Sequence, residues 1–139
     1  MKTLSFLRTA VLAAILSACA PLPPQQTYLP PGPAALTGTV SRVFDGDTFA
    51  LQGESRRIRV WGLDAPEWNH RGGAAATAEM RALISGKTLQ CRVRDVDRYE
   101  RYVGQCFLPD GRDLAAEMIR AGVAAEYCGF SRGYYGTCR

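Results

Sequence analysis

Asp45, Asp47, Asp64 and Glu67 supply four carboxylates, and Arg59 and Arg101 two guanidiniums, from three short segments. These are Asp45-Gly46-Asp47-Thr48, Arg59 to Glu67 (RVWGLDAPE) and Asp97 to Arg101 (DRYER). Clustered carboxylates can hold a hard cation through oxygen, and one can take a proton from water. Planar arginine forks match the oxygens of a phosphate diester. The set suits metal-assisted hydrolysis of an anionic, phosphate-linked substrate. Taken singly, each piece has a plainer explanation. Asp-Gly makes turns, Asp64 and Glu67 flank Pro66 in what could be a solvated loop, and Asp97 with Arg101 could be a surface ion pair of little energetic weight. The weight lies in their combination.

Positioning such groups needs a small rigid scaffold. Leu36 to Phe44 alternates like a strand, and Asp45-Gly46 marks a turn. Thr48 to Leu51 and Arg56 to Trp61 read as two further strands. Ala74 to Ser85 is helical, with Ala76, Met80, Leu83 and Ile84 on one face and Gly86 suited to its C-terminal end. Thr88 to Arg94 and Tyr102 to Leu108 flank DRYER as a hairpin. A second helix runs from Leu114 to Ala121, with Asp113 as N-cap and Gly122 past its end. Three strands, a helix, two strands and a helix predict a mixed α+β domain, mainly β: a five-stranded barrel of OB type with two packed helices.

The first third of the chain differs. Lys2 and Arg8 precede the apolar run Ala10 to Leu16, followed by Ser17-Ala18-Cys19, the pattern of an export signal. The run is too short to span a bilayer. Leu16 to Cys19 resembles a bacterial lipobox, in which Cys19 would be lipidated as the first mature residue. Ordinary cleavage is the alternative, because Ala18-Cys19-Ala20 also fits a small-x-small site. Ala20 after the cysteine resembles lipoproteins sent to the outer membrane, facing the periplasm or the surface. Otherwise the protein would be secreted or free in the periplasm. Residues 20–35 are proline-rich and read as a tether, so residues 36–139 form the one domain.

Five cysteines fit this picture. With Cys19 lipidated, Cys91, Cys106, Cys128 and Cys138 remain, an even set suited to disulfides in an oxidising compartment. Three pairings are open. Cys91 and Cys106 lie symmetrically about DRYER, so a hairpin would set them opposite each other and leave Cys128 and Cys138 to close a C-terminal loop. The net charge is +4, and +2 without Lys2 and Arg8 (15 basic against 13 acidic residues). That is not the field of a non-specific DNA coater, so any nucleic-acid contact is local. A single histidine, His70, leaves little material for a His-rich zinc site or a Ser-His-Asp triad.

From about Val40 to Tyr127 the chain resembles the staphylococcal nuclease (thermonuclease) family, through VFDGDTF, RIRVWGLDAPE, LISGK, DRYxR and GRDLAAEMIRAGVA. The resemblance implies a five-stranded OB barrel with helices and a calcium-dependent endonuclease that cleaves DNA and RNA alike, leaving 3′-phosphate ends. By the same resemblance, Asp47, Asp64 and the Ala65 carbonyl hold the calcium ion. Glu67 is the general base, Arg59 and Arg101 bind phosphate, and Asp45 supports the ligands from behind. Arg57 shares a strand face with Arg59. Trp68 and Tyr99, in loops beside the motifs, could stack on bases, whereas Trp61 suits core packing. The expected substrate is nucleic acid, single strands favoured, with membrane contact through the lipid anchor only and a monomeric state. Three departures stand out: Glu100 where the family usually has glycine, a short Trp68–Gly73 loop, and too little chain after Tyr127 for a long final helix. The competing reading is an OB-fold envelope lipoprotein, catalytically weak or inactive, that binds nucleic acid or protein. Retention of Asp47, Asp64, Glu67, Arg59 and Arg101 favours the enzyme.

Overall fold

A computed structural model describes residues 35–139. The expected export signal, the expected lipidation site Cys19 and the expected tether up to residue 34 lie outside the described residues. Strands β1 (Ala35–Val43) and β5 (Thr88–Val96) are the longest among the described residues. The first half of β1 pairs with β5, from Ala35↔Arg92 to Thr39↔Thr88. Its second half pairs with β2 (Thr48–Leu51), and a register shift between Val40 and Arg42 lets one strand serve both neighbours. Such a bulge bends a strand and closes a barrel. β2 pairs antiparallel with β3 (Ile58–Val60), β3 runs parallel to β6 (Tyr102–Phe107), and β6 returns antiparallel to β5. The order β1-β2-β3-β6-β5 is a closed five-stranded barrel.

The expected α+β barrel is therefore present, and the differences lie at its margins. Between β3 and the first helix, the two-residue β4 (Leu63–Asp64) pairs with the later β7 (Ala125–Glu126) as a ribbon beside the barrel. Helix α1 (Gly73–Ile84) buries Ala76, Met80 and Ile84 together with Thr77, and Leu83 packs against the core from its edge. Helix α2 (Leu114–Arg120) is capped as expected: the Asp113 carboxylate accepts from the Ala115 and Ala116 N–H groups at 2.9 and 3.2 Å. Among the described residues there are three helices rather than two, because α3 (Cys128–Ser131) adds a single turn near the C-terminal end. The core joins both longer helices to the barrel interior, around Phe49, Ile58, Leu63, Met80, Leu89 and Met118.

One disulfide lies within the core, and a second, with a buried carboxylate, holds the C-terminal segment. Cys91 and Cys106 face each other across β5 and β6 and are bonded, and Cys128 is bonded to Cys138. The Glu126 carboxylate accepts from Ser131 Oγ (2.6 Å), Tyr135 N (3.0 Å), and Thr137 N and Oγ1 (both 2.9 Å). Burial pushes this carboxyl up, but those donors outweigh it and bring it down to about 2. Tyr135 donates in turn to Asp113 at 3.2 Å, and Trp61 packs on Tyr134 and Tyr135. A segment with no periodicity of its own is thus tied to α2 and the barrel.

Candidate active site

The turn between β1 and β2 places the first carboxylates. Phe44 N donates to Thr48 O at 2.9 Å, and Asp47 N donates to Asp45 Oδ1 at 3.0 Å. Asp45 is thus engaged in shaping the turn behind Asp47. Asp47 is 5 % exposed. Its carboxylate accepts from Thr48 Oγ1 (2.8 Å) and pairs with Arg59 Nη1 at 3.0 Å, across the β2–β3 register Thr48↔Arg59. Burial raises its pKa to about 6 despite the opposing Arg59 charge and the Thr48 hydroxyl; Asp45 adds a smaller upward push. A buried carboxylate held this high is short of positive charge.

Gly46 brings the second carboxylate segment alongside. A Cβ on Gly46 would stand 2.7 Å from the methyls of both Ala65 and Ala76. Only glycine allows the Asp45–Asp47 turn to lie directly on Ala65, the neighbour of the exposed Asp64 at the end of β4. Glu67 follows, with its carbonyl accepting from His70 N at 2.9 Å. Gly73 opens α1 against that same carbonyl, where a Cβ would sit at 1.8 Å. The short Trp68–Gly72 loop is therefore pinned at both ends.

The DRYER hairpin forms the opposite wall. Asp97 accepts from the N–H groups of Tyr99 (2.9 Å) and Arg101 (3.0 Å), and from Arg101 Nε at 2.7 Å. Burial works against this carboxylate, but the Arg101 side chain and those N–H groups hold it below the usual range. Asp97 thereby aims Arg101 inward, where Nη1 reaches Thr48 Oγ1 at 3.4 Å. The Thr48 hydroxyl links the two halves of the site, donating to Asp47 and accepting from Arg101. Residue type alone did not single out Thr48 or give Asp97 this buttressing role.

Glu67, Arg59 and Arg101 line one cleft of about 1160 Å³, and Tyr99 stands in its wall. Tyr99 is 63 % exposed, beneath the guanidiniums of Arg98 and Arg101 at 4.8 and 5.4 Å. Trp68 is exposed but is not part of the cleft wall, so the structure does not bring it to the same place. Tyr127 and Phe130 line the cleft from the C-terminal segment, with ring centroids 4.9 Å apart. Phe130 escaped sequence reasoning because nothing local to it marks an active site. Glu100 also lines the cleft, with φ at +61°, a conformation that favours glycine.

Among the described residues, the one tight trio of metal-type side chains is Glu126, Cys128 and Cys138. It is not a metal centre, since the two sulfurs are bonded together and Glu126 is saturated with donors. Asp45, Asp47, Asp64 and Glu67 form no such tight trio.

A family profile described as staphylococcal nuclease homologue matches residues 57–135, more than half of the chain. An "Uncharacterized endonuclease" of Escherichia coli is 40 % identical over 96 residues, covering 68 % of this chain and 63 % of the relative. The "Succinoglycan biosynthesis protein ExoI" of Rhizobium meliloti is 32 % identical over 108 residues, covering 70 % and 56 %. A "Probable endonuclease LCL3" of Komagataella phaffii is 32 % identical over 110 residues, covering 72 % and 48 %. The chain thus spans roughly half to two thirds of the length of these relatives.

Proposed function

Because the chain belongs to the staphylococcal nuclease homologues, we propose that it is a calcium-dependent endonuclease, indifferent to the sugar, that leaves 3′-phosphate ends on DNA and RNA. The observation that carries this reading is the shared cleft of Glu67, Arg59 and Arg101, with Asp47 buried behind Arg59. Relatives named as endonucleases support the reaction class.

The residues fit a calcium ion. Asp47, Asp64 and the Ala65 carbonyl are all oxygen donors, as a hard cation prefers. Asp47 has its pKa raised by burial, and the Gly46 contact draws the Ala65 segment to it. When bound, the cation would supply positive charge opposite the phosphate and lower the cost of forming the attacking oxygen. Glu67 has no side-chain hydrogen bond among the described residues, so its carboxylate is free to take a proton from water. The water oxygen bonds to phosphorus as its proton passes to Glu67, the P–O5′ bond breaks, and the departing 5′ oxygen takes a proton from solvent water, to which Glu67 afterwards returns its own. Negative charge grows on the non-bridging oxygens during attack. Arg59 and Arg101, each braced by a carboxylate, present preorganised N–H groups to it. Loss of either arginine lowers kcat more than it raises KM.

The compartment proposed is the bacterial envelope: export, lipidation at Cys19 and a monomer tethered at the outer membrane. The two disulfides support an oxidising location. Digestion of heat-denatured DNA by the purified protein, with calcium and with a chelator, tests the activity. Cleavage that stops on chelation, with ends that accept polymerase extension only after phosphatase treatment, supports the reading. No cleavage by folded, oxidised protein in either condition overturns it.

A further inference from the structure

The walls of the cleft differ in charge. Arg56, Arg57 and Arg59 come from the β2–β3 side, whereas the β5–β6 hairpin mixes Asp95, Asp97 and Glu100 with Arg98 and Arg101, the last already paired with Asp97. A polyanion leaving the reaction centre meets less repulsion along the arginine wall. That wall does not end at the cleft. The Arg57 guanidinium lies over the Phe44 ring at 4.1 Å, and the Arg42 guanidinium lies over the same ring at 4.8 Å. Arg42 and Arg57 are exposed and Phe44 is half-buried. Among the described residues, neither arginine forms an ion pair, unlike Arg59 and Arg101. Stacking on the ring orders both guanidiniums while leaving their N–H edges unspent.

We propose that Arg42, Phe44 and Arg57 form an outer subsite that grips the phosphate backbone of a single polynucleotide strand beyond the cleft. Two ordered cations around an aromatic ring match the recurring chemistry of sequence-tolerant single-strand binding. The proposal deepens the nuclease reading and rests on it for the identity of the strand. It gives the protein a preference for long strands that the cleft alone does not supply.

Fluorescent oligothymidylates of about 4 and about 16 nucleotides, a range set by known single-strand site sizes, are titrated with wild type and Arg42→Ala/Arg57→Ala. Titration in EDTA keeps a metal-dependent hydrolysis from running. Each single-strand phosphate contact contributes about 0.7 to the slope of log affinity against log salt. The double variant therefore loses about 1.4 from the slope on the 16-mer, and the advantage of the 16-mer over the 4-mer shrinks. Arg42→Lys/Arg57→Lys keeps most of the slope because the charge stays. An unchanged slope, or an equal loss on both lengths, overturns the subsite. Melting curves confirm that the variants are folded. Cleavage in calcium is scored separately: length-dependent binding without cleavage would sink the hydrolase and keep the strip.

Discussion

Replacing Gly46 by alanine tests how closely the two carboxylate segments depend on each other. The new methyl would start 2.7 Å from the methyls of Ala65 and Ala76. Carbon atoms rest at about 3.5–4.0 Å, so the turn must retreat by about 1 Å from two neighbours at once. One neighbour flanks Asp64; the other is a buried position of α1. Overpacking of this kind costs about 2 kcal/mol, or roughly 10 °C in Tm for a domain near 100 residues. The larger consequence is at the site, because Asp47 moves with the turn. A displacement of about 1 Å can cost about a hundredfold in rate. Calorimetry and steady-state cleavage of denatured DNA, each across a calcium titration, measure both effects. Gly46→Ala should need more calcium for half-maximal rate, and removing one obstacle in Gly46→Ala/Ala65→Gly should restore part of it. If Gly46→Ala keeps its wild-type Tm and calcium requirement, the close approach of the two segments is not what builds the site.

Asp47 predicts a pH dependence. Its folded pKa, about 6, lies above the ordinary 3.8, so its contribution to stability is complete below 3.8 and is lost as pH rises through about 6. Calcium should therefore raise Tm much more at pH 7.5 than at pH 5, and an equal rise at both would count against Asp47 as a ligand. Replacing Cys128 and Cys138 by serine opens a loop with a sequence separation of 10. Chain entropy sets the loss at about 2.7 kcal/mol, read as a fall in the urea midpoint of the oxidised double variant against oxidised wild type; an unchanged midpoint would contradict it. At Glu100, with φ at +61°, glycine relieves about 1 kcal/mol of left-handed strain. Glu100→Gly should therefore unfold at higher urea than wild type, and a lower midpoint would contradict the strain.

Much of the scaffold was legible because its signals are local. Asp45-Gly46 marked the β1–β2 turn, DRYER the β5–β6 hairpin, and the symmetry of Cys91 and Cys106 about it became a cross-strand pair. Trp61 packs on the C-terminal tyrosines, in keeping with a packing role. The β3 strand is shorter than the Arg56–Trp61 run, and β5 extends beyond Arg94 to meet Tyr102. Strand ends are set by partners rather than by alternation. The β4–β7 ribbon and α3 were invisible, since two-residue strands and a single turn carry no period. Their order comes from contacts distant in sequence, such as Tyr127 N donating to Gly62 O at 2.8 Å. In the candidate site, residue chemistry picked out Arg59, Glu67 and Arg101. It did not reveal Thr48 as their link, Phe130 as a wall, or the absence of Trp68 from the cleft, because each depends on how the barrel closes.

The most direct test is kcat of Glu67→Gln on denatured DNA at saturating calcium, beside wild type. The side chain is exposed and makes no hydrogen bond among the described residues, so Tm and KM should hold. General-base catalysis contributes about 10²–10⁴-fold, and kcat should fall by that much. A folded Glu67→Gln protein that cleaves at the wild-type rate would contradict the assignment of Glu67 as the base.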